Sequence, residues 1–321
     1  MESVSKTRVT EAVARDIVTA ALGSQAQLTG FSELTDGWFN AAYELTLADR
    51  RRFVIKVAPA PTVEVLGYEH DIIHAEIDAL QLVRQHTDAP VPTVEWVDDS
   101  CTLLPSPLFA MTYMPGVSLW NVRETITLDE RAELDRTIGR HMRAMNGIAG
   151  PAFGMLAPSM PKHASWTPAF TELFEMLLAD GERRAIELPI SSGDARAAVA
   201  AVADALDEVT EPRLVHWDLW DGNVLIDPTT HRLTGLLDFE RALWGDPLME
   251  TQFATGTSAA FTDGYGREML MTAGERRRRD VYTLYLHLVM SIEGTYRQYP
   301  QDPIGDWARA QLVDDLARVN S

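Results

Sequence analysis

Three residues in one short stretch have the types and the spacing that phosphoryl transfer needs. His216, Asp218 and Asn223 stand in the order H-x-D-x-x-x-x-N within LVHWDLWDGNVLIDPTTHRLTGLLDFE, residues 214–240. An apolar run, Val224–Ile226, follows at once, and Asp238 comes directly behind a second run, Leu236-Leu237. Two short strands joined by the turn Asp227-Pro228-Thr229-Thr230 predict a hairpin with Asn223 and Asp238 at one end. Asp218 then sits on the loop just before it. One carboxylate placed there can orient a hydroxyl, while an amide and a second carboxylate hold Mg²⁺ against nucleotide phosphates.

Such a site needs a counter-charge for the phosphates and elements that carry it. Upstream, Val54-Ile55-Lys56-Val57 puts one lysine in an apolar strand, where an ammonium must pair or protrude because burying it alone is costly. The strands expected around it are Phe31–Leu34, Tyr43–Leu47 and Arg52–Val57, a small antiparallel sheet behind a helix capped by Thr10 and ending at Gly23. Glu64 to Gln85 reads as one long helix, with Ile72, Ile73, Ile77, Leu80 and Val83 at helical spacing. Further strands are expected at Val94–Val97 and Leu108–Tyr113, before Met111-Thr112-Tyr113-Met114-Pro115-Gly116 breaks the pattern. Beyond that the chain is mainly helical, with a Pro/Gly-rich excursion at 150–168 and a last amphipathic helix at Trp307–Val319.

Taken together, these motifs resemble the aminoglycoside phosphotransferase family of small-molecule kinases, within the protein-kinase-like fold. The resemblance runs from about Thr29 to Glu250. It implies an α+β, bilobal fold: residues 1–114 a nucleotide-binding lobe with an antiparallel sheet and a helix, residues 115–321 a larger, mostly helical lobe for catalysis and acceptor binding. It implies ATP or GTP and Mg²⁺ as cofactors. Asp218 takes the catalytic position, Asn223 and Asp238 those of metal ligands, and Lys56 that of the phosphate-contacting lysine, steered by Glu76. The loop holding Gly37 and Asn40 would lie over the phosphates, and the backbone of Thr112, Tyr113 and Met114 would meet the adenine. His216 is expected to fix the loop by hydrogen bonds, and Asp246, in G-D-P, to support the architecture.

Departures narrow the resemblance. The phosphate loop has one glycine where a protein kinase has three, so fewer backbone N–H groups can close on phosphate. Trp217 replaces the arginine through which protein kinases read activation-loop phosphorylation. Glu240 follows Asp238-Phe239 in place of glycine, and is expected to contact the acceptor or the catalytic loop. Glu293, beside aromatic residues on a late helix, is a second candidate for the acceptor. Leu219-Trp220 before Gly222-Asn223 matches the D-L-W-x-G-N of ketosamine kinases. Aminoglycosides are the first expectation for the acceptor; choline, homoserine and ketosamines are the metabolic alternatives, and a non-catalytic nucleotide-binding scaffold is the reading from another class.

Composition bounds the rest. The 321 residues, 46% apolar and 23% charged, suit an ordinary globular chain with substantial cores. A net charge of −19 argues against nucleic acid and anionic membrane surfaces as partners, and is compatible with a cationic small molecule. No apolar run reaches the roughly 18–20 residues a membrane span needs. The lone Cys101 excludes an intrachain disulfide, so a reducing, cytoplasmic setting is expected. His70-Asp71-Ile72-Ile73-His74 has two histidines on one helical face but lacks the glutamate of H-E-x-x-H, and reads as surface rather than zinc site.

Overall fold

The computed structural model describes residues 4–35, 39–254, 258–266 and 271–321. Helix α1 (Glu11–Leu22) starts on the Thr10 side chain, which accepts from Val13 N–H, and stops at Gly23, whose φ of 86° suits glycine. Strands β1 (Leu28–Leu34), β2 (Ala41–Leu47) and β3 (Arg52–Val57) follow, then α2 (Ile72–His86), β4 (Val94–Asp98) and β5 (Leu108–Thr112). They form one antiparallel sheet in the order β1-β2-β3-β5-β4.

Strand alternation decides what this sheet can do. Phe53, Ile55 and Val57 face a core shared with Ala14, Ile17 and Val18 of α1. Val54 faces the opposite core, shared with Ile73, Ile77 and Leu80 of α2. Lys56 falls on the Val54 side because strand side chains repeat every second residue, and it therefore meets α2. That second core continues without a break into the helical part, so the two halves share one apolar interior.

The rest of the chain is short strands set among helices. It runs through β6 (Val117–Ser118), α3 (Leu119–Val122), α4 (Leu128–Asn146), β7 (Gly154–Met155), α5 (Trp166–Arg183), α6 (Ser192–Ala201) and α7 (Ala203–Leu206). It continues with β8 (Arg213–Val215), β9 (Val224–Ile226), β10 (Leu233–Leu236), β11 (Leu243–Gly245), α8 (Thr251–Ala254), α9 (Ala259–Tyr265), α10 (Ala273–Arg297) and α11 (Pro303–Val319). Strand β9 pairs with both β10 and β6, and β11 with both β7 and β8. The two small sheets hold the two ends of the 214–240 stretch. No helix among the described residues is long and apolar enough to cross a membrane.

One expectation fails. The long helix predicted from Glu64 begins only at Ile72. Before it, residues 58–71 run as an irregular strap with one 3₁₀ turn, Gly67–Glu69. Asp71 ends the strap in the left-handed region, φ 64°, which breaks helical continuity. The residues whose spacing predicted the helix, Ile72 to Val83, all lie in α2, while Leu66 and Tyr68 of the strap are fully buried in the core shared with the helical part.

Candidate active site

Lys56 is the hub of the site. Its Nζ donates to both carboxylate oxygens of Glu76 at 2.7 Å and to Asp238 Oδ1 at 2.6 Å. Burial opposes the ammonium, but the charges of Asp238 and Glu76 outweigh it and hold Lys56 protonated well above its usual range. Burial drives the Glu76 carboxyl up against the pull of Lys56. In Asp238 the balance reverses: burial works upward, and the neighbouring Lys56 holds the carboxyl below its ordinary value.

Asp238 reaches this position through a strained backbone, φ 69°, two residues after the end of β10. The hairpin that places it is the predicted one, with Leu236 opposite Val224, and Asp227 Oδ1 accepts the N–H groups of Thr229 and Thr230 in the turn. The Leu237 N–H donates to Asn223 O at 2.9 Å, bringing the two ends together. Asn223 Nδ2 donates to the Asp218 carbonyl at 2.8 Å. The amide nitrogen is thus committed to the loop, and Oδ1 is the atom Asn223 can offer to a hard cation, which fits Mg²⁺ chemistry. Gly222 lets the Trp220 indole lie against the backbone here, since a Cβ would stand 2.3 Å from it.

Asp218 lies on the loop between β8 and β9. Burial pushes its carboxyl up to about 7; Arg241 pulls it back, while Asp238 and Glu293 add to the rise. His216, just before it, accepts the Asp218 N–H on Nδ1 at 3.2 Å and faces Leu237 O with Nε2 at 3.0 Å. That pattern assigns a neutral imidazole protonated on Nε2, and burial lowers its pKa to about 4. His216 therefore ties the loop to the hairpin, as expected.

Two residues escaped the sequence reading. Glu250 is fully buried and accepts the His216 and Trp217 N–H groups, one on each oxygen, both at 2.9 Å, with Asn146 Nδ2 as a third donor. Its partners are backbone groups more than thirty residues away, so no local pattern announces it. Arg241, a lone cation behind Asp238-Phe239-Glu240, donates to Glu293 Oε2 at 2.7 Å and lies close enough to Asp218 to favour its ionised form. A basic residue three after Asp238 was the available signal.

The remaining candidates separate. Glu240 accepts from Asn40 Nδ2 at 2.7 Å, and its carboxylate gathers with those of Glu76 and Asp238, their oxygens within 4.8 Å of one another. It belongs to the Lys56 cluster, not to the catalytic loop. Asn40 is buried at the start of β2, and Gly37 lies outside the described residues. Glu293 is taken up by Arg241 and by Arg297, 4.0 Å away. The N–H groups of Thr112 and Tyr113 donate to Thr93 O and Arg52 O, so both are committed within the sheet. Asp246 is structural: it caps the turn at Leu248 N–H and accepts from Arg278 Nε and the Tyr282 hydroxyl.

An antiparallel sheet carrying a glutamate-paired lysine, joined to a helical part carrying an H-x-D loop and a second aspartate loop, defines the class: a protein-kinase-like α+β fold of the phosphotransferase kind. Residues 30–281 match the model of the phosphotransferase enzyme family, and the chain belongs to that family. A probable ketoamine kinase of Synechocystis is 29% identical over 187 residues, 51% of this chain and 59% of that protein; a probable ketoamine kinase of Vibrio parahaemolyticus is 35% identical over 79 residues. The matched region thus spans less than two thirds of either curated relative. Among solved structures, a protein provisionally named fructosamine-3-kinase from Thermobifida fusca aligns over 98% of this chain and 99% of its own, with TM-score 0.69 and 20% identity. A thermostable aminoglycoside phosphotransferase APH(4)-Ia, in ternary complex with AMP-PNP and hygromycin B, aligns over 95% and 98%, with TM-score 0.64 and 17% identity. At such identities the likeness is one of fold.

Proposed function

We propose that this chain is an ATP-dependent kinase that moves the γ-phosphoryl group to a hydroxyl of a small, sugar-like or amino-bearing molecule. One observation carries the reading: Lys56, Glu76 and Asp238 are joined in a single hydrogen-bonded cluster, with the Asp218 loop held against the same hairpin. In this reading the nucleotide lies on the 1–114 half and the acceptor on the 115–321 half. Lys56 neutralises the α/β-phosphates. Of the three hinge candidates, Met114 is left as the backbone donor toward adenine, because Thr112 and Tyr113 use theirs in the sheet.

Asp218 accepts a hydrogen bond from the acceptor hydroxyl and aims its lone pair at the phosphorus. The proton passes to the carboxylate late, as the new P–O bond forms and the bond to the ADP oxygen breaks. A carboxyl raised to about 7 is a better base than an ordinary aspartate near 4. Asn223 and Asp238 would hold Mg²⁺, which when bound neutralises charge on the phosphate oxygens.

For the acceptor, D-L-W-x-G-N in this chain and the ketoamine-kinase names of its curated relatives favour a sugar-linked amine. An aminoglycoside is the second reading, favoured by the complex of the APH(4)-Ia relative with hygromycin B. A coupled assay of ADP release with Mg²⁺ across fructosamines, aminoglycosides, choline and homoserine separates them. Turnover on none of these, together with unchanged nucleotide binding in Asp218→Asn, would instead favour a nucleotide-binding scaffold.

A further inference from the structure

The strap between β3 and α2, residues 58–71, leaves the sheet and docks on the helical part. Gly67 N–H donates to Asp180 Oδ2 on α5 at 2.7 Å. Glu69, buried, forms a forked pair with buried Arg297 of α10, Nη1 to Oε2 at 3.3 Å and Nη2 to Oε1. Leu66 N–H folds back onto Glu69 Oε2 at 3.0 Å, so the acid fixes the strap's own turn as well. Arg297 also lies 4.1 Å from the centroid of the Phe39 ring.

This docking delivers Tyr68 to the catalytic loop. The Tyr68 ring meets the Trp217 ring edge-on, centroids 5.7 Å apart, while Tyr285 of α10 stacks on Trp217 at 5.4 Å and 13°. Arg241 lies 5.8 Å from the Tyr68 centroid and 6.0 Å from that of Trp217. Trp217 itself is held at φ 63°, a conformation that costs energy in a bulky residue and persists only when its surroundings enforce it. Glu250 holds the backbone of this turn; the two tyrosines hold its ring. Asp218 is the next residue.

We propose that Tyr68 is a positioning residue for phosphoryl transfer: its ring clamps Trp217 against Tyr285, and the Glu69–Arg297 pair seats it. The inference rests on the reading of Asp218 as the group that orients the acceptor hydroxyl. The contact is made by the ring, since the Tyr68 hydroxyl is buried without a hydrogen-bond partner among the described residues. The strap runs directly into α2, so one segment sets both the Glu76 that holds Lys56 and the loop that carries Asp218. The two reacting sides are thus registered by packing, without the arginine that Trp217 replaces.

The test uses the full chain with Tyr68→Leu, Tyr68→Phe and Glu69→Gln, read in two ways. Amide hydrogen exchange over residues 214–223, without nucleotide, should rise in Tyr68→Leu and Glu69→Gln and return to the parent level in Tyr68→Phe. Turnover, measured with the best acceptor or as basal ATP hydrolysis, should fall roughly 10²-fold in Tyr68→Leu, the effect of a small misplacement. The KM for ATP should stay within about twofold, as expected when only transition-state alignment is lost. Unchanged loop exchange in Tyr68→Leu, a Tyr68→Phe variant as impaired as Tyr68→Leu, or a loss confined to the KM for ATP would each overturn the proposal. If Tyr68→Leu does not fold, Tyr68→Met is read by the same criteria. A parent protein that releases no ADP with any acceptor would defeat the kinase reading, while the exchange data still decide whether Tyr68 holds the loop.

Discussion

Lys56 Nζ and Asp238 Oδ1 are 2.6 Å apart, so the cation assigned to the phosphates is bonded directly to the carboxylate assigned to the metal. The ammonium occupies an oxygen that a divalent ion would use, and it is the counter-charge for Glu76 as well. Replacing it, as in Lys56→Met, leaves the carboxylates of Glu76, Asp238 and Glu240 together without compensation. Turnover should drop by roughly 10²- to 10³-fold, the usual effect of removing one preorganised charge donor. The same variant should gain more thermal stability from MgCl₂ than the parent does, because a divalent ion then supplies the missing positive charge. A melting temperature equally insensitive to MgCl₂ in both proteins would count against this arrangement.

The pH profile should report Asp218. Its carboxyl is raised to about 7 chiefly by burial, and the proposed mechanism uses the carboxylate. The rate should therefore rise with pH through about 7 and level off above it. Removing the charge of Arg241, as in Arg241→Gln, takes away the strongest influence favouring ionisation and should move that limb to higher pH. An acid limb near 4 in the parent protein would show that burial does not control Asp218.

Glu250 should matter more for the fold of the loop than for its chemistry. Glu250→Ala strands the His216 and Trp217 N–H groups in a buried setting, while Asn146 Nδ2 keeps its bond to Leu214 O. At about 1–3 kcal/mol for each of the two stranded donors, the loss is on the order of 2 kcal/mol or more. Denaturant unfolding at constant m-value measures it, and a change below about 1 kcal/mol would mean that other groups satisfy those donors.

The Glu69–Arg297 pair should show the asymmetry of buried ion pairs. Either Glu69→Leu or Arg297→Met alone deprives one buried charge of its nearest partner and should cost about 3–5 kcal/mol. The double variant should cost clearly less than the sum of the two. Strict additivity in that cycle would show the groups to be independent.

Much of this was legible because it is local. The Thr10 cap, β3 with Lys56, and the hairpin joining Asn223 to Asp238 each follow from residues adjacent in the chain, where side-chain periodicity and turn chemistry act directly. The strap was read as helix because the spacing of Ile72, Ile73, Ile77, Leu80 and Val83, all within α2, was extended back to Glu64. Periodicity reports that a residue is buried, not which surface covers it. The bond from Asn40 to Glu240 was not legible for a related reason: the two residues are two hundred positions apart.

The amino-acid sequence by itself determined the chemistry available here: an aspartate before an asparagine, an aspartate behind a second strand, and a lysine in the sheet, at spacings that short-range backbone geometry converts into a site. It also determined family membership, since residues 30–281 carry that pattern. Only the tertiary structure decided how the charges are shared. Lys56 meets Asp238 across 182 positions in the chain, and Arg241 takes Glu293 because α10 passes beside the loop that carries Asp218. It also decided that backbone N–H groups of that loop end on Glu250. Such pairings depend on distances between elements far apart in the chain, and no spacing along the sequence encodes them.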